Sequence, residues 1–302
     1  AALIEGSLLA GNAATKASGG AVFVSATGDE EDEASAVTDD AAAAGAVEQS
    51  SADASSSPGR RRRQQRRLQG DGDGDGDSGD DADRPSALIA AAPTAPAFAF
   101  ASADTTYERN TAEVLGGALA FSQAADAVLL GAGFADNRAA AGAGAFYAQG
   151  GSLSAAACAF HGNAAGAGGD GGALYCASGC DWRLRSTDLR GNRCGGNGGA
   201  LFAWDARVAL ERCTLADNAA GRLGGGCSMA NSTLSVLGGA LLGNSADGAD
   251  AAGGAVYAQS GTVSLGGRLD VQGNWASWGG AVYATNGTLT LVSTTGLTFT
   301  GG

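Results

Sequence analysis

The chain is short of most of what builds an ordinary globular core. Its 302 residues include 4 Pro, 1 Met, 1 His and 4 Trp, with 6% aromatic and 16% charged residues. The 44% hydrophobic fraction is about half alanine, so there are too few bulky side chains for one thick core. Four prolines without a glycine at every third position exclude collagen. No stretch approaches the roughly 18 unbroken apolar residues of a membrane-spanning helix. Positive charge is also scarce. The net charge is −13, and residues 28–87 alone hold 16 acidic and 7 basic residues, a balance of −9 that leaves −4 for the rest. The body therefore has no basic face suited to nucleic acid. The chain opens at Ala1 without Met or a signal peptide, which suggests part of a longer protein.

What is abundant is small: 68 Ala and 52 Gly. They fall into a repeat. Eight times a large apolar residue and two further residues precede an asparagine, at Asn12, Asn110, Asn137, Asn163, Asn192, Asn218, Asn244 and Asn274. After the first gap the spacings are 27, 26, 29, 26, 26 and 30. Between successive asparagines stands a glycine pair followed by a small and an apolar residue, as in GGALYC from Gly171, GGALFA from Gly198 and GGAVYA from Gly253 and Gly279.

Each unit resolves into segments of period two, the strand period. One follows the glycines, a second reads TLSV at Thr233, TVSL at Thr262 and TLTL at Thr288, and a third leads into the asparagine. Three strands of four to six residues and their corners fill about 26 residues and leave no room for a helix. A leucine-rich repeat has similar spacing before its Asn, but its helical segment is absent here. The expected fold is all-β, a right-handed parallel β-helix, with nine partial or complete coils stacked into a rod about 40 Å long. The Asn column would form a structural ladder of carboxamides bonding corner to corner, with Asn218→Ala costing about 1–3 kcal/mol. The Gly pairs would be corners of unusual backbone angle or close approach.

The alternating GGA-apolar and F-x-x-N signatures resemble the repeats of chlamydial polymorphic outer membrane proteins and related β-helix proteins. The resemblance covers nearly the whole chain apart from residues 28–87. It implies a right-handed β-helix passenger, exposed at the cell surface and used for adhesion.

The first coil is interrupted. Residues 1–27 form its opening part, 28–87 are an acidic and Arg-rich insertion of low complexity, expected to be disordered, and 88–302 continue the same β-helix. Within the insertion, Asp71, Asp73, Asp75 and Gly76 match the start of a calcium loop, although Ala82 stands where a bidentate Glu is required. Six arginines between Arg60 and Arg67 lie between acidic runs and read as part of a self-neutralising, solvated loop.

The chemistry expected on the rod is modest. Enzymes on parallel β-helices that act on acidic polysaccharides gather carboxylates and basic residues on one strand face, whereas the first-strand columns here hold Ala, Val, Leu, Phe and Tyr. Most charges lie from Asp181 to Arg193 and from Asp205 to Arg222. Counting back from the asparagines sets Asp181 beside Arg207 and Arg185 beside Glu211, as sheet stabilisation requires. His161 has no nucleophile repeated near it, which argues against a catalytic or metal role. Cys158 and Cys213 share a column two coils apart and are expected as packed thiols, while Cys176, Cys180 and Cys194 are close enough in sequence for one disulfide.

Phe23, Tyr147, Tyr175, Phe202, Tyr257 and Tyr283 occupy one column after the Gly pairs. If the neighbouring aliphatic column faces inward, alternation turns these rings outward as a strip for stacking on sugars or docking a partner. With the opposite phase they are a core stack. NST at Asn231 and NGT at Asn286 are N-glycosylation sequences in the turn between first and second strands. Together these features lead us to expect a non-catalytic adhesive or structural stalk, extracellular or on a cell surface, with a host-cell, matrix-protein or glycan partner. It would need no cofactor unless the insertion takes calcium. The alternative is a carbohydrate-active β-helix enzyme of lyase, hydrolase or epimerase type, marked by charges converging on adjacent coils.

Overall fold

A computed structural model of the chain describes residues 2–14, 19–24, 98–122, 125–292 and 296–300. The insertion at 28–87, with Asp71, Asp73 and Asp75, lies outside the described residues. The fold is the parallel β-helix expected from the repeat: the described residues hold strands and no helix, and successive coils pair in parallel. A representative coil runs through Leu201–Trp204, Arg207–Ala216, which bends at Arg212, and Ala219–Ala220. Leu201 pairs with Leu174 on one side and Cys227 on the other, so one repeat of sequence advances the chain one coil.

The coil has one strand more than the sequence suggested. Directly after each Asn of the column except Asn274, a two-residue strand such as Thr111–Ala112, Arg193–Cys194 or Ser245–Ala246 joins a separate seven-stranded sheet. Two residues are too few to display a period, which is why only three strands could be read from the sequence. The interrupted coil is resolved at both edges of its insertion: Val22–Val24 pairs with Leu119–Phe121, and Phe98–Ala103 pairs with Ala125–Leu130.

The corners explain how so short a unit turns repeatedly. Before the corner that ends the second strand a residue adopts positive φ, and on several coils the next supplies a small hydrogen-bonding side chain. Asp104, Ala157, Ser186 and Arg212 have φ of 47–52° and precede Thr105, Cys158, Thr187 and Cys213. The Thr105 and Thr187 hydroxyls donate to the carbonyls of Ala103 and Arg185, at 2.9 and 3.1 Å. The Cys158 and Cys213 thiols donate to those of Ala156 and Glu211, at 3.4 and 3.5 Å. These thiols are thus corner donors, with Thr187 on the coil between them, and burial pushes both thiol pKa values up. At the Gly pairs the requirement is space: a Cβ on Gly199 would collide with the Gly225 carbonyl and the backbone of Ala219.

Inside the coil, apolar side chains of varied size stack column by column. In one column Phe100, Ala127, Leu153, Trp182 and Val208 follow one another in register. Phe121 and Phe146 lie edge-on at 5.3 Å, and Phe146 meets Trp182 at 5.7 Å. Ahead of the Asn column, Tyr107, Phe134 and Phe160 stack face to face at 4.7 and 4.6 Å. Each ring buries its face on the next, so a core one side chain deep still excludes water. The buried Tyr107 hydroxyl donates to Ser102 at 3.0 Å.

Candidate functional site

The asparagines form a continuous ladder with one direction. Asn218 Oδ1 accepts both the backbone N–H and the Nδ2 of Asn192, each at 3.0 Å. Its own Nδ2 donates to Leu189 O and to Asn244 Oδ1, both at 2.9 Å. The same pattern links Asn12 to Asn110, Asn110 to Asn137, Asn137 to Asn163, Asn163 to Asn192 and Asn244 to Asn274. Asn110, Asn137, Asn163, Asn192, Asn218 and Asn244 are wholly buried. Their donors and acceptors are consumed within the fold, so this column holds coils together rather than meeting a ligand.

The aromatic column requires a correction. It does point away from the main core, as alternation from the inward Leu119, Phe146 and Leu174 column demands, but it is not an exposed strip. Tyr147 and Tyr175 are 2% exposed, Phe202 4% and Tyr257 9%. Val114, Leu115 and Ala143, from the segment between the Asn corner and the Gly pair, pack with Tyr147, Tyr175 and Phe202 in a second apolar cluster. Tyr147, Tyr175 and Phe202 meet edge-on at 5.5 and 5.0 Å. Tyr283 is half-buried, stacked on Tyr257 at 5.8 Å, and the side chain of Phe23 lies outside the described residues.

The outward faces of the second and third strands carry the exposed charge. Arg185 clasps Glu211 on the next coil with two contacts, Nε to Oε2 at 2.9 Å and an Nη2 hydrogen bond to Oε1 at 3.3 Å. Asp181 and Arg207 are in register as expected, yet Asp181 pairs with Arg183 on its own strand at 3.2 Å. On the third strand, His161 Nε2 lies 3.1 Å from Asp188 Oδ2, and Arg190 bridges Asp188 at 3.6 Å and Asp217 at 3.5 Å. His161, Asp188 and Arg190, and Asp217 thus converge from three adjacent coils. Counting columns had not revealed this, because Asp217 sits in the corner rather than on a strand. The Asp188 Oδ1 atom is buried and has no hydrogen-bond partner within the protein.

A second polar group lies inside the turn layer. Asp170 is 5% exposed and its Oδ1 accepts the backbone N–H of Asn197 at 2.6 Å. Burial pushes its carboxyl up to about 6, against the opposing pull of the Asn197 hydrogen bonds and the more distant Arg222. The Cys194 thiol beside it is raised by burial and by the Asp170 charge. No sequence signal marked Asp170, whose column holds Leu115 and Gly142 on the preceding coils.

Asn231 and Asn286 are both exposed, at φ 49° and 53°. Cys176 and Cys180 form a disulfide across the equivalent turn of an earlier coil, which leaves Cys194 outside it. Among the described residues no three His, Cys, Asp or Glu side chains are grouped to hold a metal ion, and no helix is long and apolar enough to cross a membrane. No family model, curated protein or solved structure matches the chain.

Proposed function

We propose that this chain is a non-catalytic segment of a secreted or surface-displayed β-helix, acting as an adhesive or structural stalk. One observation carries the proposal: the polar groups of the rod are turned on one another. The corner asparagines and thiols bond coil to coil, the corner threonines bond back to their own strand, and Arg185 with Glu211 and Arg190 with Asp217 are matched across coils, with Asp188 paired to Arg190 on its own strand. Such a surface is suited to holding shape and presenting area rather than to turning over a substrate. The disulfide supports an oxidising compartment, and the resemblance of the repeats to those of polymorphic outer membrane proteins supports display and adhesion. The partner is a host-cell, matrix-protein or glycan surface. The test is retention of immobilised matrix proteins and glycans by the purified chain; partners held by the charged face are released as salt rises. No retention on any of these surfaces would leave the stalk role without the adhesive one.

The convergence of His161, Asp188, Arg190 and Asp217 favours a second reading, a carbohydrate-active site on the third-strand face. An imidazole and a carboxylate within hydrogen-bond reach, beside a guanidinium, can share a proton and hold an acidic sugar. Polysaccharide cleavage that disappears in both His161→Ala and Asp188→Asn would establish it.

A further inference from the structure

We propose that Asn231 and Asn286 are acceptor sites for N-linked glycans, carried in one column on the turn between the first and second strands. The proposal rests on the extracellular reading above and assigns a modification to it.

The sequences NST and NGT alone would be weak grounds, since three-residue motifs recur by chance. The fold adds what the motif lacks. Asn231 and Asn286 occupy the same corner two coils apart, with Ser260, also at φ 53°, on the coil between them. Asparagine tolerates this left-handed conformation better than most residues, so the turn accepts it without the strain a β-branched side chain would bring. The middle residue of the first triplet faces inward, and that of the second is held close against the preceding coil. Ser232 is buried, donates to Ala230 O at 2.6 Å and accepts from Ala206 N at 3.0 Å, and a Cβ at Gly287 would strike the backbone of Gly261. On either side of these middle residues, the amide before and the hydroxyl after both face solvent. Thr233 and Thr288 are exposed, each opens a second strand, and both pair in register with Thr262.

The Asn231 Nδ2 is engaged only at the surface, donating to the exposed Asp205 Oδ1 at 3.2 Å. Rotation of the side chain frees it at little cost. Two coils separate the sites by about 9.6 Å along the stack, so two sugars can project outward side by side. The second and independent observation is the Cys176–Cys180 disulfide, which closes this same turn two coils before Asn231. An oxidised bridge and paired acceptor triplets point to the same compartment.

In the transfer, Nδ2 bonds to the anomeric carbon of a lipid-diphosphate-linked oligosaccharide. The anomeric carbon–oxygen bond breaks, the lipid diphosphate leaves, and Nδ2 releases one proton; no oxidant or reductant is involved. Glycans here would fence the edge of the second-strand sheet and leave the third-strand face, with His161, Asp188 and Arg190, open to a partner.

The test directs the full chain into the secretory pathway of a eukaryotic cell with an added leader, then treats it with an N-glycosidase that converts each glycosylated Asn to Asp. Peptide masses read the conversion, and a parallel thiol-labelling measurement reads Cys176 and Cys180. Conversion is expected at both Asn231 and Asn286, lost singly in Thr233→Ala and Thr288→Ala and retained in Thr233→Ser and Thr288→Ser. These variants leave both asparagines in place, so a folding defect of the turn does not imitate the loss. Secreted protein with the disulfide formed and both asparagines unconverted would overturn the glycan proposal while leaving the extracellular reading intact. Chain retained inside the cell with Cys176 and Cys180 reduced would overturn both.

Discussion

Replacing Asn218 by Ala removes a carboxamide with four hydrogen bonds, two accepted from Asn192 and one donated to each of Leu189 O and Asn244 Oδ1. At a net contribution of about 0.5–1.5 kcal/mol each, the four amount to roughly 2–6 kcal/mol. The damage is lopsided because the ladder has a direction. The buried Asn192 N–H loses its acceptor outright, whereas Asn192 Nδ2 keeps Phe160 O and the Asn218 N–H keeps Asn244 Oδ1. We therefore expect a loss of about 3–5 kcal/mol, above the 1–3 kcal/mol that a single pair of unpaired corner groups would give. Urea unfolding followed by circular dichroism measures the loss, and native-state hydrogen exchange locates it. Exchange at the Asn192 amide should accelerate strongly, while the Asn218 amide next to the substitution should stay protected. Asn12→Ala, at an exposed rung, should cost much less. An unchanged urea midpoint, or faster exchange at Asn218 than at Asn192, would refute the directional ladder.

Further outcomes follow from the same packing. The Asp170 pKa is raised to about 6 from 3.8, so its contribution to stability is fully present below the unfolded value and is lost as pH rises through about 6. Asp170→Asn should remove that decline and stabilise the chain at pH 8 by up to about 3 kcal/mol, and identical unfolding profiles for both chains from pH 4 to 8 would discard the burial argument. Gly199→Ala should cost more than about 3 kcal/mol or prevent folding, because its Cβ meets backbone, while Gly168→Ala, with open space around it, should be near neutral in the same thermal melt. Tyr175→Ala should cost about 3–5 kcal/mol by opening a cavity beside Leu115 and Phe202; a change below about 0.5 kcal/mol would restore the exposed strip.

The asparagines and paired glycines were readable because each answers a demand few residues meet: simultaneous donation and acceptance at one corner, and absence of a Cβ at another. The other corners answer a looser demand. Thr105, Cys158, Thr187 and Cys213 share one position with Ala132 and Gly239, so no repeated letter betrays the column until register is known. Alternation correctly turned Tyr147 and Tyr175 away from the main core. It could not show that Val114, Leu115 and Ala143 pack with them, because those residues come from an irregular segment with no period of its own. The charged convergence at His161, Asp188 and Asp217 was missed for a related reason: counting along strands compares residues in register, and a side chain reaching from a corner falls outside that count.

The claim that most needs a direct trial is that the rod binds without catalysing. The purified chain is incubated with a panel of neutral and acidic polysaccharides, and bound polymer and newly formed chain ends are measured in the same samples. The account predicts retained polymer of unchanged length, in the parent chain and in His161→Ala alike. New chain ends produced by the parent and absent from His161→Ala and Asp188→Asn would contradict it and make the third-strand face an active site.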